Sequence, residues 1–271
     1  MPEPIEKTSG GEARQGSRIA FADMAPLIQR VREFVDARHE DRVVYEAPAD
    51  LSAFLRTAGF APSKMGKAEM VLAGDVAVEL GHPSTVSRAI VLITSNRELI
   101  RHGQITLAGP DLDQMEKGAR HPFAQVVMLA HRKGSTPDPF KMENAQYLTN
   151  RLPGYMVRSV PGKLWVRISN QGLAAGLGIR TIGSALVAAY MGDFEAIDGV
   201  EVIFVTSTQA AVEELAPIAT EASILAGRHK KLVLGLDGEV ECTELNCETC
   251  EEKPVCDNLR DIVIKRRRHI Q

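Results

Sequence analysis

Gln104-Ile-Thr-Leu-Ala-Gly-Pro-Asp-Leu-Asp113, followed shortly by Phe123-Ala-Gln-Val-Val-Met-Leu-Ala130, is the stretch that decides the fold class. A β-prone run stops at a Gly-Pro turn with two aspartates, and a longer apolar, β-branched run begins at Phe123. Both runs are short and carry neighbouring β-branched residues, Ile105-Thr106 and Val126-Val127, so strands joined by turns are expected here. Upstream the texture is the same: Met70–Leu72, Val76–Leu80 and Ala89–Thr94 are short apolar runs broken by Gly74 and by Gly81-His82-Pro83.

Downstream, strands and helices interleave. Pro137-Asp138-Pro139 opens a helix predicted to reach about Arg151, with Asp138 as N-cap and Pro139 in the first turn. Leu164-Trp-Val-Arg-Ile-Ser169 alternates as a half-buried strand does. A helix from about Thr181 to Tyr190, a strand at Val200–Thr206 and a helix from Thr208 to Gly227 follow. Lys231–Leu234 and Glu239–Val240 form a candidate hairpin about Asp237-Gly238. At the other end, Ile19 to Glu40 carries apolar residues at helical spacing, Val43–Tyr45 reads as a strand, and Pro48 to Gly59 reads as a helix closed by its glycine. The absence of a strict βα repeat favours an α/β (α+β) fold, a mixed sheet with flanking helices and a C-terminal four-cysteine metal-binding segment, over a doubly wound parallel sheet. The expected organisation is a disordered leader at 1–17, an N-terminal helical layer at 18–66, an α/β domain at 67–240, and a cysteine segment with a basic helix at 241–271.

Composition narrows the function classes. With 271 residues the chain can bury a full core without disulfides. The 32 Lys+Arg against 35 Asp+Glu give a formal charge of −3, which argues against a general nucleic-acid-binding surface. No apolar run approaches the roughly 20 residues of a bilayer-spanning helix, and residues 1–17 lack a signal-peptide core, so a cytoplasmic protein is expected. No nucleophile-elbow, metalloprotease, phosphate-loop or dinucleotide motif is present. His82, His102, His121 and His131 are scattered without ligand spacing, and the dense basic run Lys265–His269 reads as a solvated helix end or a docking tail.

The four cysteines, Cys242, Cys247, Cys250 and Cys256, all fall within 15 residues. In a chain with no export signal, such a cluster points to thiolates gathered around a metal. Tetrahedral thiolate coordination suits zinc or an iron–sulfur cluster, and the single Cys-x2-Cys pair does not build the paired hairpins of a zinc knuckle. An iron–sulfur cluster is the leading expectation, with structural zinc as the alternative and uncoordinated or redox-active thiols as the third reading.

The motif Ile105-Thr-Leu-Ala-Gly-Pro-Asp-Leu-Asp-Gln-Met-Glu116 resembles the acetyl-CoA synthase family, the β subunit of carbon monoxide dehydrogenase/acetyl-CoA synthase complexes. The same order of landmarks continues through Ala130-His-Arg-Lys133, Leu164–Ser169, Ile182-Gly183, the Val200–Val205 run and the cysteines, so the resemblance spans roughly Lys67 to Cys256. It implies the fold of the synthase middle domain leading into the start of the catalytic domain, and it favours iron over zinc, in the form of a 4Fe-4S cluster. This sequence shows no Cys-Gly-Cys for a distal nickel and its cysteine spacing differs from the family's cluster loop, so a self-sufficient acetyl-forming enzyme is not expected. The resemblance implies protein partners in a redox or one-carbon/acyl-CoA system.

Middle domains of this family are implicated in coenzyme A binding, which directs attention to Trp165 and Arg167. A guanidinium can pair with phosphate and an indole can stack on adenine. On a strand these two share one face and Val166 and Ile168 the other, and the sequence leaves open which face is core. Asp111 and Asp113 read mainly as a capped turn, and Gly172, Gly176 and Gly178 as loop-shaping residues. Three functions remain: an iron–sulfur accessory subunit for electron transfer, cluster delivery or docking, an enzyme subunit binding coenzyme A or an acyl thioester and completed by a partner chain, and a zinc-stabilised interaction module.

Overall fold

A computed structural model of the chain describes residues 23–57, 69–135, 137–160, 162–226, 233–234 and 240–241. Its centre is the antiparallel pair β6 (Phe123–His131) and β9 (Ile197–Val205), in register from Ala124 opposite Val205 to Ala130 opposite Gly199. β4 (Gln104–Ala108) lies parallel to β9, and β3 (Ser87–Thr94) lies parallel to β6. β1 (Arg42–Glu46) closes one side of the sheet antiparallel to β4, so the five-stranded order is β1-β4-β9-β6-β3. Mixed sheets with flanking helices are thus present, as the strand-and-turn pattern predicts.

The central strands are buried on both faces, and their alternate residues enter two different cores. Phe123, Val127 and Leu129 of β6 and Val200, Val202 and Phe204 of β9 enter one, with the rings of Phe123 and Phe204 stacked at 6.1 Å. Ala124, Val126 and Met128 with Ile203 and Val205 enter the other. Each large side chain so buried contributes about 1.5–3 kcal/mol relative to exposure, which holds only if both faces are covered.

The second face is covered by α1 (Ala25–Asp36), α6 (Gln209–Glu213) and α7 (Ala216–Leu225), with Leu27, Ile28, Val31 and Val35 of α1 turned inward. The 3.6-residue period of those four positions explains why the segment is a helix on a flat sheet. A buried ion pair, Arg32 to Glu201 at 2.8 Å, ties α1 to β9, and the backbone N–H of Arg101 donates to the same carboxylate. The helix expected at Thr208–Gly227 is two helices, because Pro217 has no N–H to continue the first and occupies the opening turn of the second.

The other core is closed by α5 (Ile179–Asp193) and by a second sheet. α5 is buried almost all round, and Gly183 lets it approach β4 so closely that a Cβ there would lie 2.6 Å from Ile105 Cγ2. The second sheet, order β5-β2-β8-β7, comprises β5 (Arg120–His121), β2 (Val76–Leu80), β8 (Lys163–Ser169) and β7 (Tyr155–Val160). Ser87 of β3 joins the two sheets, its Oγ accepting from Leu164 N at 2.9 Å and donating to Leu164 O. β7 is a strand the sequence reading does not single out.

Other boundaries shift. α2 (Leu51–Thr57) falls within the expected Pro48–Gly59 helix. α3 (Pro139–Asn144) tightens into a 3-10 turn over Ala145–Thr149, so the expected helix to Arg151 is shorter. Met70–Leu72 is not a strand: Met70 and Leu72 are exposed, and a turn follows at Ala73–Asp75. α4 (Asn170–Ala174) caps the end of β8 through Ser169 Oγ, which accepts from Gly172 N. Of the expected C-terminal hairpin, the antiparallel pairing of β10 (Val233–Leu234) with β11 (Val240–Glu241) is present, and the turn about Asp237-Gly238 lies outside the described residues. Residues 1–17, the four cysteines and the basic C-terminal run lie outside the described residues. No helix among the described residues is long and apolar enough to cross a membrane.

The approach of α5 to β4 yields a stability prediction. Gly183→Ala should cost about 1–3 kcal/mol, because the branched carbons of Ile105 must move within a filled core. Gly183→Val should cost more. Urea denaturation of the two variants checks both, and an unchanged midpoint for Gly183→Ala would show that the contact is loose.

Candidate functional site

The register of the second sheet decides which face of β8 is core. Val78 faces the same side as Ile168, and Leu80 the same side as Val166; all four are buried. Trp165 and Arg167 therefore face outward, away from the first sheet, with Glu79 of β2 opposite Arg167 and Arg158 of β7 opposite Trp165. Arg120 of β5 pairs with Glu79 on the far side of β2.

These neighbours form one network. Trp165 Nε1 donates to Glu79 Oε1 at 3.0 Å and Arg167 Nε donates to the same oxygen at 2.9 Å. Arg120 Nε reaches Glu79 Oε2 at 3.3 Å. The Arg167 guanidinium lies over the indole at 4.5 Å, a cation–π geometry, and the ring of His82 meets the indole at right angles at 5.7 Å. His82 is placed by Gly81, whose φ of +62° turns the chain at the end of β2; a Cβ there would strike Leu164 O. Ser84 N donates to His82 Nδ1 at 3.0 Å.

Burial alone would raise the pKa of Glu79. The hydrogen bonds from Arg167 and Trp165 and the charge of Arg167 outweigh it and hold the carboxyl below its ordinary value. The carboxylate is thus fixed as an anion, with its oxygens occupied by donors. It holds the indole and guanidinium in place and has no free role as an acid or base. Against this single carboxylate stand Arg120, Arg158 and Arg167. Arg120 keeps 53% of its side chain exposed, and Arg158 is exposed with no ion-pair partner among the described residues. The face therefore carries surplus positive charge around an aromatic plate, an arrangement suited to recognising an anion attached to a flat ring.

The structure brings Trp165 and Arg167 together, as their spacing predicts, and adds Glu79, Arg120, Arg158 and His82, which sequence reasoning missed. Glu79 carried a usable signal: a lone acid inside the apolar strand Val76-Ala-Val-Glu-Leu80. The cysteines Cys242, Cys247, Cys250 and Cys256 lie outside the described residues, and among the described residues no group of three or more His, Cys, Asp or Glu is placed to hold a metal. Asp111 does the work of a cap: its Oδ1 accepts from Leu112 N at 2.7 Å and from Ile179 N at 3.0 Å, and its Oδ2 accepts from Tyr45 Oη at 3.1 Å. Asp113 is exposed. A separate cavity of about 330 Å³ lies among Gly154, Gly172, Gly176, Leu177 and Thr181.

The described residues thus form a two-sheet α/β body that carries an indole ringed by arginines on the outer face of its second sheet. Its sequence matches the family model "CO dehydrogenase/acetyl-CoA synthase complex beta subunit" over residues 59–211, more than half of the chain, and the chain belongs to that family. It is 25% identical over 195 residues to the acetyl-CoA decarbonylase/synthase complex subunit beta of Methanothermobacter thermautotrophicus, covering 72% of this chain and 42% of that protein. It is 28% identical over 146 residues to the corresponding subunit of Archaeoglobus fulgidus, covering 53% of this chain and 28% of that one. To the carbon monoxide dehydrogenase/acetyl-CoA synthase subunit alpha of Moorella thermoacetica it is 29% identical over 197 residues, covering 71% of this chain and 26% of that one. The chain therefore spans less than half the length of these curated relatives.

The depressed pKa of Glu79 fixes the sign of a pH effect. A carboxyl held low in the folded state adds stability at neutral pH, and that stability is lost as the pH falls through the folded-state value. The emission of Trp165, the single tryptophan, should change on acidification below the ordinary carboxylate range, with a parallel fall in urea midpoint. Glu79→Gln should remove the emission step; if the step persists in that variant, another group governs it.

Proposed function

We propose that this chain is a subunit or accessory of a carbon monoxide dehydrogenase/acetyl-CoA synthase type of system, and that the outer face of its second sheet binds the nucleotide end of coenzyme A. The observation that carries this reading is the placement of Arg120, Arg158 and Arg167 around Trp165 with only Glu79 to balance them. Arg120 and Arg158 have donors to spare for phosphate, and the indole and guanidinium planes suit a purine. The family's implied association with coenzyme A agrees with this chemistry. The relatives' names speak of complexes, which supports a partner chain that supplies the reacting centre, with this chain's residues binding and orienting the coenzyme.

Coenzyme A titrated into the full chain should change Trp165 emission saturably. Arg120→Ala and Arg158→Ala should each weaken binding about tenfold, the worth of one charge-assisted contact, without shifting the melting temperature. Pantetheine, which lacks the nucleotide, should not bind. No emission or calorimetric response to millimolar coenzyme A, or binding by both arginine variants as tight as by the unaltered chain, would overturn the reading.

A second reading rests on the donor set rather than on this face. Four thiolates at Cys242-x4-Cys247-x2-Cys250-x5-Cys256 follow directly on β11, and their chemistry fits one 4Fe-4S cluster, with zinc as the alternative occupant. Bound there, a cluster would serve electron transfer, cluster delivery or docking to a partner. Anaerobically purified protein should contain iron with matching acid-labile sulfide, lost in Cys247→Ala. One zinc without sulfide would make the segment a structural clip and the chain a zinc-stabilised interaction module.

A further inference from the structure

β1 is the outermost strand of the five-stranded sheet, and among the described residues no strand pairs with its outer side. Gly109 N donates to Asp41 O and Ala47 N donates to Gly103 O, and Asp41 and Ala47 flank the β1/β4 register at either end. In an antiparallel ladder this parity assigns the inward hydrogen bonds to Val43 and Tyr45 and turns the N–H and C=O groups of Arg42, Val44 and Glu46 away from β4. Among the described residues none of these outward groups has a backbone partner; Glu46 O takes a 3.3 Å hydrogen bond from the exposed side chain of Arg180. Val43 and Val44 are 44% and 46% exposed, and the strand has no proline, bulge or lysine to blunt it. Natural sheet edges are rarely left so available.

The sequence of this edge is complementary to itself. Laid antiparallel against a second Arg42-Val-Val-Tyr-Glu46 about a two-fold axis at Val44, it sets Val44 opposite Val44, Arg42 opposite Glu46 and Val43 opposite Tyr45, each charged pair occurring twice. The outward parity makes Val44 opposite Val44 a hydrogen-bonded pair, and the two Arg42–Glu46 pairs as well, so the backbone groups match along with the side chains. Arg42 now pairs with Asp36 at 2.6 Å on the surface, a contact weak enough to be shared. We infer that the occupant of this edge is a second copy of the chain, and that β1 pairs across a two-fold axis to join two five-stranded sheets into one continuous sheet. The short strand places this dimer in the weak, concentration-dependent class.

Sedimentation velocity on the full chain over a concentration series tests the inference. A reversible dimer is expected, and Glu46→Arg and Arg42→Glu, each placing like charges opposite one another twice, should raise its dissociation constant about tenfold or more. Mixing the two variants in equal amounts should return a heterodimer, because at both ends of the paired strands an arginine from the first variant then faces a glutamate from the second. That restoration also shows that neither variant has failed to fold. A monomer at every concentration, or a dimer indifferent to both substitutions and to Val44→Lys, would overturn the proposal.

Discussion

The need to bury β6 and β9 on both faces governs the rest of this structure. These two strands form the antiparallel seam of the main sheet, β4 and β3 hang on it in parallel, and nearly every residue along it is shielded from water. One face is covered by helices whose apolar stripes suffice. The other is covered by α5 and by a second sheet, and a sheet used as a cover commits only one of its faces. Alternation along β2 and β8 then places Val78, Leu80, Val166 and Ile168 inside and Glu79, Trp165 and Arg167 outside. The candidate binding face is a by-product of closing the core, fixed on strands rather than loops.

Two buried carboxylates show how similar surroundings lead to different electrostatics. For Glu201 burial dominates and raises the pKa, although Arg101 N–H and Arg32 oppose it. Glu79, at the edge of the core, meets donors from Arg167 and Trp165 and is held low. The first carboxylate joins α1 to the sheet, with Arg32 and the backbone of Arg101 bonded to it. Around the second, guanidinium groups outnumber the carboxylate, and that surplus is the basis for proposing that the face binds an anion.

Much of the fold was legible from short β-branched runs and turn residues: β1, β2, β3, β4, β6, β8 and β9 all fall on expected runs. The failures have local causes. Met70–Leu72 has the composition of a strand and no strand neighbour to pair with among the described residues, and Pro217 divides a segment whose apolar pattern reads as continuous. Of the site, Trp165 and Arg167 were visible because two residues on one strand share a face. Glu79, Arg120 and Arg158 come from three other strands, and only sheet register unites them. Family membership was legible in the ordered motifs from Ile105 onward, which fall largely within the matched residues 59–211.

Coenzyme A is proposed to meet the outer face of the second sheet. Amide chemical shifts of isotopically labelled full-length protein, followed while coenzyme A is added, would locate the contact without altering any residue. Shifts concentrated on β2, β5, β7 and β8 around Trp165 are the predicted result. Shifts confined to the cavity about Gly172 and Thr181, or no shifts at saturating coenzyme, would contradict the assignment of the outer sheet face as the binding surface.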